Sequence, residues 1–570
     1  MENKLLEPLR YYEEQGKEEH RNNTLEYLNS LIAQSGVNIN ENRATVARIK
    51  EENQKLVEVS KKLSKYKTFR ILLVIAAVFG VIMTLASFGM FSDSVGSGIF
   101  MLLLGGGGAM AAIWALIKKV NPVIKDTTMI IANQKAVLDN LENTAWMQMN
   151  PLNSLFTDDD AVKLIEKTLP DFKFHKNFLV SNEKLFAEKY DFYDLQDEEC
   201  SMIDTLSGTY AGNPFLFGRR RMHRMGTHTY KGSLKITWVE TYTDSDGNVQ
   251  TKEKSQTLSA SVTKPKPYYS TNTFLAYGNQ AAPNLEFSRC SKHSENLSEK
   301  ALEKKIKRGE HKLQKKTEKA IKHGETFQEM ANSEFEVLFD ATDRDNEMEF
   351  RLMYTPIGQR STVALLKDSK NYGDDFDFIK KGKFNVIMSD HAQNWKMGVY
   401  ARDYVHYDYE EISSKFVSLN EKYFKSIFFD FAPLFSVPAY LEESCAALDY
   451  DYEYPTNYTC YEHEVMANAI GNESLAHEDS ATEAILKTQF MTSDNGIDVV
   501  LVTAYSYIAF ERVDYIPVKG GDGNYHNVPV PWIEYIPVSK ATPIVVGDDS
   551  TITDDDSIHY HGMSTEILKQ

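Results

Sequence analysis

His463-Glu464 opens like the H-E-x-x-H pattern, which sets two imidazoles on one helix face to hold zinc beside a glutamate base. Position 467 is Ala467, so the second ligand is missing. Ser181-x-x-Lys184 has the spacing of a serine nucleophile with a lysine base, but no K-T-G partner follows, and chance supplies such matches in 570 residues. Asp244-Ser-Asp-Gly247 resembles part of a calcium loop. With Gly247 as the invariant glycine, Tyr242 falls at the first ligand position and Glu253 at the twelfth. A tyrosine replaces aspartate poorly there, so a hairpin turn over Thr243–Asn248 is the preferred reading. His559-x-His561 and the group Asp449, Asp451, Glu453, Glu462, His463 and Glu464 have ligand-type side chains, and both are read as solvated. The sequence contains no Walker A pattern, no strand-coupled G-x-G-x-x-G and no G-x-S-x-G elbow. No catalytic residue, metal site or cofactor is predicted.

Two basic runs stand out. Arg219, Arg220, Arg221, His223 and Arg224 form one; Lys304, Lys305, Lys307, Arg308, Lys312, Lys315, Lys316, Lys319 and Lys322 form the other. The whole chain is acidic, with 63 Lys and Arg against 81 Asp and Glu and a net charge of −18. Nucleic acid is therefore not the expected partner, since only a local patch would suit it. Each basic residue held at an anionic leaflet is worth about 1 kcal/mol. Arg219, Arg220, Arg221, Arg224, Lys304, Lys305, Lys312, Lys315 and Lys316 are the candidate contacts for anionic lipid headgroups. The plainer alternative is a solvated helix face with Glu303, Glu310 and Glu318 as internal partners.

The elements that would carry these charges are easier to read. Ile71–Phe91 and Ile99–Ile117 are two uncharged runs, each long enough at 1.5 Å per residue to cross a hydrocarbon core of about 30 Å. Their short link makes them an antiparallel hairpin. Lys61, Lys62, Lys65, Lys67 and Arg70 precede the first run, and Lys118, Lys119 and Lys125 follow the second. The positive-inside rule then places both flanks in the cytoplasm. The expectation is a multi-pass protein of the plasma membrane with both termini inside. Four cysteines without a C-x-x-C pair suit a reducing compartment. No cleavable signal peptide is expected, because polar helix-like sequence precedes the first run. Ala76 with Gly80, Gly105 with Ala109, and Gly108 with Ala112 have the spacing of closely packed membrane helices.

Both runs extend into helical arms. Val46, Ile49, Asn53, Leu56, Ser60 and Leu63 form one heptad stripe; Thr127, Ile131, Gln134, Leu138, Leu141 and Ala145 form the other. They predict a coiled-coil-like stalk, pairing within one chain or between subunits of a homo-oligomer. Pro122 is expected to bend the second arm. An earlier helix over 2–33 is expected to end at Gly36, with Leu25, Leu28 and Ile32 folded back onto the stalk.

The predicted organisation is therefore N-terminal helices and a first arm over 1–69, a transmembrane helical hairpin over 70–118, and a second arm over 119–150. A body over 151–547 follows, with a basic helix at 295–322 and an acidic tail at 548–570. In the body, Ser233–Tyr242, Thr251–Thr263, Glu334–Asp340, Glu347–Tyr354, Phe384–Met388, Ile497–Ala504, Tyr507–Phe510 and Ile544–Val546 read as strands. Asp158–Thr168 and Lys415–Phe424 read as helices. Pro265 and Pro267 are expected to stop the second strand. This mixture gives an α+β membrane protein whose cytoplasmic body is mainly antiparallel.

Ile203-Asp-Thr-Leu-Ser-Gly-Thr-Tyr-Ala-Gly-Asn-Pro-Phe215, then Ser333-Glu-Phe-Glu-Val-Leu-Phe339 and Met353-Tyr-Thr-Pro356, resemble segments of the bacterial DUF3137 family of membrane proteins. The resemblance covers about half of the chain. It implies two spans near the N-terminus with a soluble domain after them, and it brings no activity and no catalytic residues. The basic helix and the tyrosine-rich C-terminal part depart from the shorter members. The leading expectation is a membrane-anchored, cytoplasm-facing scaffold or interaction protein, bound to the bilayer by two spans and to an unidentified protein partner. The alternative is a membrane-bound enzyme or ligand sensor with a motif-less site near Trp238, Trp395 and Tyr404–Tyr409.

Overall fold

Five helices of the body start at a side chain that can accept from a free backbone N–H. Ser298, Asn332, Asn346, Thr355 and Thr459 accept from Ala301, Phe335, Glu349, Gly358 and Glu462 respectively. These caps explain one correction. The stretches at 334–340 and 347–354, expected as strands, are helices Ser333–Phe339 and Glu347–Met353. Asn332 and Asn346 start them, and Phe335, Leu338 and Phe339, like Phe350 and Met353, are buried at helical spacing. The computed structural model describes residues 4–90, 95–175, 187–190, 198–243, 248–324, 327–393, 397–442, 456–549, 551–552, 557–560 and 562–568. The protein is α+β, with antiparallel sheets and two helices long and apolar enough to cross a membrane.

The chain divides into two units. The first comprises Met1–Arg21, Ala161–Val399 and Glu421–Gln570; the second comprises Asn22–Asp160 and Tyr400–Asn420. Compared with the expected body at 151–547, the first unit leaves 151–160 and 400–420 to the helical unit and takes in 1–21 and 548–570.

In the first unit, one sheet contains β1 (Phe172–His175), β2 (Cys200–Tyr210), β3 (Asn213–Thr243), β4 (Val249–Gly278), β5 (Glu286–Arg289), β6 (Phe376–Lys381) and β7 (Phe384–Ser389). Its order among the described residues is β1-β2-β3-β4-β7-β6-β5, antiparallel throughout. The second sheet contains β8 (Ile485–Asp494), β9 (Ile497–Lys519), β10 (Tyr525–Asp548), β11 (Ile558–Tyr560) and β12 (Met563–Ile567), in the order β11-β12-β10-β9-β8. Ile236, Leu258 and Val528 are buried where the β3–β4 hairpin packs on the β9–β10 hairpin. Gly232 lies so close to the Pro529 carbonyl that a Cβ would not fit. Phe172, Tyr210, Phe215, Phe431 and Phe435 pack together, Phe431 edge to face with Phe172 and Phe215 and the Tyr210 ring tilted against Phe172 and Phe435.

Pro265 and Pro267 do not end β4, which runs on to Gly278. They occupy alternate positions of a stretch that has β3 on one side only, so their missing N–H groups cost no ladder bond. The region expected as an acidic tail carries β11 and β12. Met563, Ser564 and Thr565 are buried, and β12 pairs with β10 from Ile544 to Asp548. Asp554, Asp555 and Asp556 lie outside the described residues.

In the second unit, helix Ile39–Met90 and helix Val95–Ala115 carry the two apolar stretches. A Cβ on Gly80 would meet the Gly105 carbonyl at 2.8 Å and Ala109 at 3.0 Å, so the close approach falls at Gly80, Gly105 and Ala109. Ala77 is buried there, while Gly108 faces open space. Helix Asn121–Asn153 follows a π-helical turn at Leu116–Val120, and Pro122 sits in its first turn, where a missing N–H is harmless. Ile49 is buried against Leu138 and Ala145, with Leu56 and Leu141 beside them. The two arms therefore pack within one chain. Gly36, at φ +65°, ends the preceding helix, in which Leu28 and Leu31 are buried and Leu25 is exposed. Of the expected outer link between the apolar runs, residues 91–94 lie outside the described residues.

Candidate functional site

The basic helix spans Glu299–His323, closed by Gly324 at φ +68°. Leu302, Leu313 and Ala320 are its buried stripe. Gly309 lies on the same stripe, against Val337, at a distance that leaves no room for a Cβ. The glycine that weakens the helix in isolation thus lets it seat on Ser333–Phe339. Lys304, Lys307, Arg308, Lys312 and Lys315 are exposed and line one open groove along the other face, with Lys300 and His311. At 1.5 Å per residue the groove from Lys300 to Lys315 is about 22 Å long. Among the described residues, none of these five forms an ion pair, and neither do Glu303, Glu310 and Glu318. Glu310 instead accepts from the Ser333 hydroxyl at 2.6 Å. The internal pairing expected for a neutralised face does not form.

Lys305 and Lys316 do not belong to that face. Lys305 donates to Ser294 Oγ at 2.8 Å, and Lys316 donates to the Thr342 carbonyl and lies 4.2 Å over the Phe327 ring. Burial pushes both amines down from the usual lysine range. Three helical turns separate them, which sets both beside the Leu302–Leu313 stripe.

The arginine run lies on β3, opposite β2, where Ser201 pairs with Arg221 and Met202 with Arg220. Arg221 is drawn inward: it pairs with Glu483 at 2.8 Å and donates to Asn468 at 3.0 Å. Arg220 stacks 5.2 Å over Phe274. Arg219 is half-buried, and only Arg224 is exposed. Of the four arginines expected to meet lipid, Arg224 alone is open to solvent; Arg220 and Arg221, neighbours on opposite faces of the strand, are each engaged by a packed partner.

Several buried charges belong to the scaffold. Arg289 and Asp374 form a fully buried pair, and the Arg289 guanidinium lies 4.3 Å over Phe376. Arg344 pairs with Glu336 and, at 2.9 Å, with Glu347. Lys380 donates to the carbonyls of Ala281 and Gly382, and burial lowers its pKa to about 7. His391 Nδ1 lies 2.6 Å from Asp375, its Nε2 lies 3.5 Å from Asp430, and Tyr372 stacks on the ring at 3.8 Å. Burial raises the Asp430 carboxyl to about 6. On His391 burial opposes the charge, but Asp430 and Asp375 outweigh it and raise the imidazole pKa. Such a pair can hold or shuttle a proton, and here it ties β7 to helix Tyr409–Phe435.

The group expected as a solvated acidic face is corrected. Glu462, His463 and Glu464 are buried. Glu462 and Thr459 form a capping box, His463 lies 3.1 Å from Asp498, and Glu464 accepts from Met202 N and pairs with Lys487 at 2.5 Å. Asp449, Asp451 and Glu453 lie outside the described residues, as do Ser181, Lys184, Asp244–Gly247, Trp395 and His561. His559 lies 3.0 Å from Asp549 and 2.6 Å from Ser564. Trp238 packs in the Ile236–Leu258 cluster of the first unit, while Tyr404–Tyr409 belong to the second.

The residues that sequence reasoning missed line a cleft of the first unit: His223, Tyr269 and Ser506 with its neighbours. His223 stood out only as a member of the basic run. The chain matches no protein-family model, no curated protein and no solved structure.

Proposed function

We propose that the chain is a membrane-anchored, cytoplasm-facing scaffold or interaction protein, and that its basic helix lies against an anionic lipid surface. The observation that carries this reading is the exposed row Lys304, Lys307, Arg308, Lys312 and Lys315, without an ion-pair partner among the described residues. At about 1 kcal/mol per residue near an anionic leaflet, such a row gives useful attraction. A chain already tethered to the bilayer needs little more to hold the helix there. The spans are supported by exposure: only 17% of each apolar window is buried, against the mostly buried helix of a soluble core. The lysines flanking both windows favour cytoplasmic ends, and the resemblance to the DUF3137 family agrees with an N-terminal pair of spans. A ligand sensor is the second reading, favoured by the cleft between the two sheets.

The test uses the full chain in proteoliposomes with a donor fluorophore at Gln314, on the outer helix face. Energy transfer to a lipid dye should be higher in phosphatidylserine-containing bilayers than in phosphatidylcholine. It should fall as salt shortens the Debye length below about 8 Å. Lys304→Gln with Lys312→Gln and Lys315→Gln should abolish most of the difference. Equal transfer in both bilayers, or an unaltered response in the triple variant, would sink the lipid contact.

A further inference from the structure

Between the two sheets of the first unit lies a cleft of about 270 Å³. Its walls come from β3, β4, β8, β9 and β10 and from the turn before β2. His223 sits between two phenols: Tyr507 stacks on it with centroids 5.4 Å apart, and Tyr269 lies at the same distance, tilted by 50°. Tyr505, half exposed, adds a third ring. Thr482 holds the arrangement, with its hydroxyl 3.2 Å from the Tyr269 hydroxyl and accepting the Tyr507 N–H at 3.1 Å. Glu198 and Glu199 are exposed lining residues, and the Glu199 carbonyl accepts the His223 N–H at 2.8 Å. Burial and the Glu199 carboxylate both raise the Tyr507 phenol pKa, so that carboxylate is felt at the ring.

Two polar atoms on lining residues are buried without a partner among the described residues: the hydroxyl of Ser506, a residue only 2% exposed, and Nε2 of His223. A buried hydroxyl left unpaired costs free energy unless a ligand or water completes it. The lining contains two carboxylates and no lysine or arginine. Arg221, outside the lining, is felt at the Tyr269 phenol, but Glu483 pairs with it and acts on that phenol in the opposite sense. Aromatic faces attract cations, and more so where water is excluded. An anion would meet the carboxylates first.

We propose that this cleft binds a small organic cation, an amine or a quaternary ammonium, that also carries a hydrogen-bonding group. The cationic head sits against the tyrosine faces and the glutamates. Its polar group reaches Ser506 Oγ and His223 Nε2. Both a free solute and a lipid headgroup can present this chemistry. The proposal does not rest on the lipid contact of the basic helix, whose charge and position are separate.

The experiment titrates choline and ethanolamine into the full chain held in phosphatidylglycerol nanodiscs, which lack both groups, by calorimetry. The control ligand is the neutral carbon isostere of choline, with a tert-butyl group in place of trimethylammonium. At least one cation should bind about tenfold tighter than the isostere. Glu199→Gln, at an exposed position, should weaken binding about fivefold or more without disturbing the fold, and so should Tyr507→Ala, whereas Tyr507→Phe should keep it. Suppression of the binding in phosphatidylcholine nanodiscs assigns the lipid headgroup as occupant; equal binding in both assigns a free solute, and either upholds the site. The proposal is overturned if neither cation binds up to about 10 mM, or if the isostere binds equally.

Discussion

The lysines of helix Glu299–His323 and the arginines of β3 begin as similar runs of positive charge and finish in different surroundings. On the helix, successive side chains turn by about 100°, so Lys304, Arg308, Lys312 and Lys315 gather on the outer face while Lys305 and Lys316 turn inward. On β3, alternation gives Arg220 to the Phe274 ring and Arg221 to Glu483 and Asn468. Charge density along a sequence therefore does not decide what reaches solvent. The period of the element decides it, together with what packs on each face.

Three substitutions break or sharpen that contrast. The largest effect is expected where burial is complete. Arg289→Ala strands Asp374 in the interior and should cost about 3–5 kcal/mol, read by chemical denaturation of the detergent-solubilised chain. A loss under about 1 kcal/mol would show that burial does not separate the two classes of charge. Arg221→Ala should fall between the extremes, at about 1–3 kcal/mol, because its side chain is 19% exposed and its partner Glu483 is more open. At the small end, Gln at Lys304, Lys312 and Lys315 together should leave the melting curve within about 0.5 kcal/mol of the parent. A large destabilisation there would mean that the outer row is structural, and the contrast with β3 would fail.

The legible parts of the fold were those with strong local patterns. Uncharged runs near twenty residues and the stripe through Ile49, Leu56, Leu138, Leu141 and Ala145 carry their own period, and the structure packs that stripe together. Ser333–Phe339 misled because a short apolar run with valine and phenylalanine fits strand and helix alike; its cap at Asn332 was the discriminating signal. The β3–β4 hairpin was read short and β10 only at Ile544–Val546, since a proline inside a strand argues against it unless the neighbouring strands are known. The basic row was half legible: its outer members were named, and the inward turn of Lys305 depends on Ser294 and that of Lys316 on Phe327 and Thr342. The cleft was not legible. Glu199, His223, Tyr269, Ser506 and Tyr507 meet only through long-range strand register, which leaves no local spacing.

The prolines of β10 have a consequence for neighbouring molecules. Pro529, Pro531 and Pro537 face Tyr515, Val513 and Tyr507 on β9, and even spacing sets all three toward the same outer edge. An outer strand edge is a template on which another chain can grow a shared sheet. A proline at these positions offers an incoming strand no N–H, so the edge is blocked at three points, while Ile533 and Tyr535 between them keep theirs. A second copy pairing along this stretch would thus forgo three of its ladder bonds.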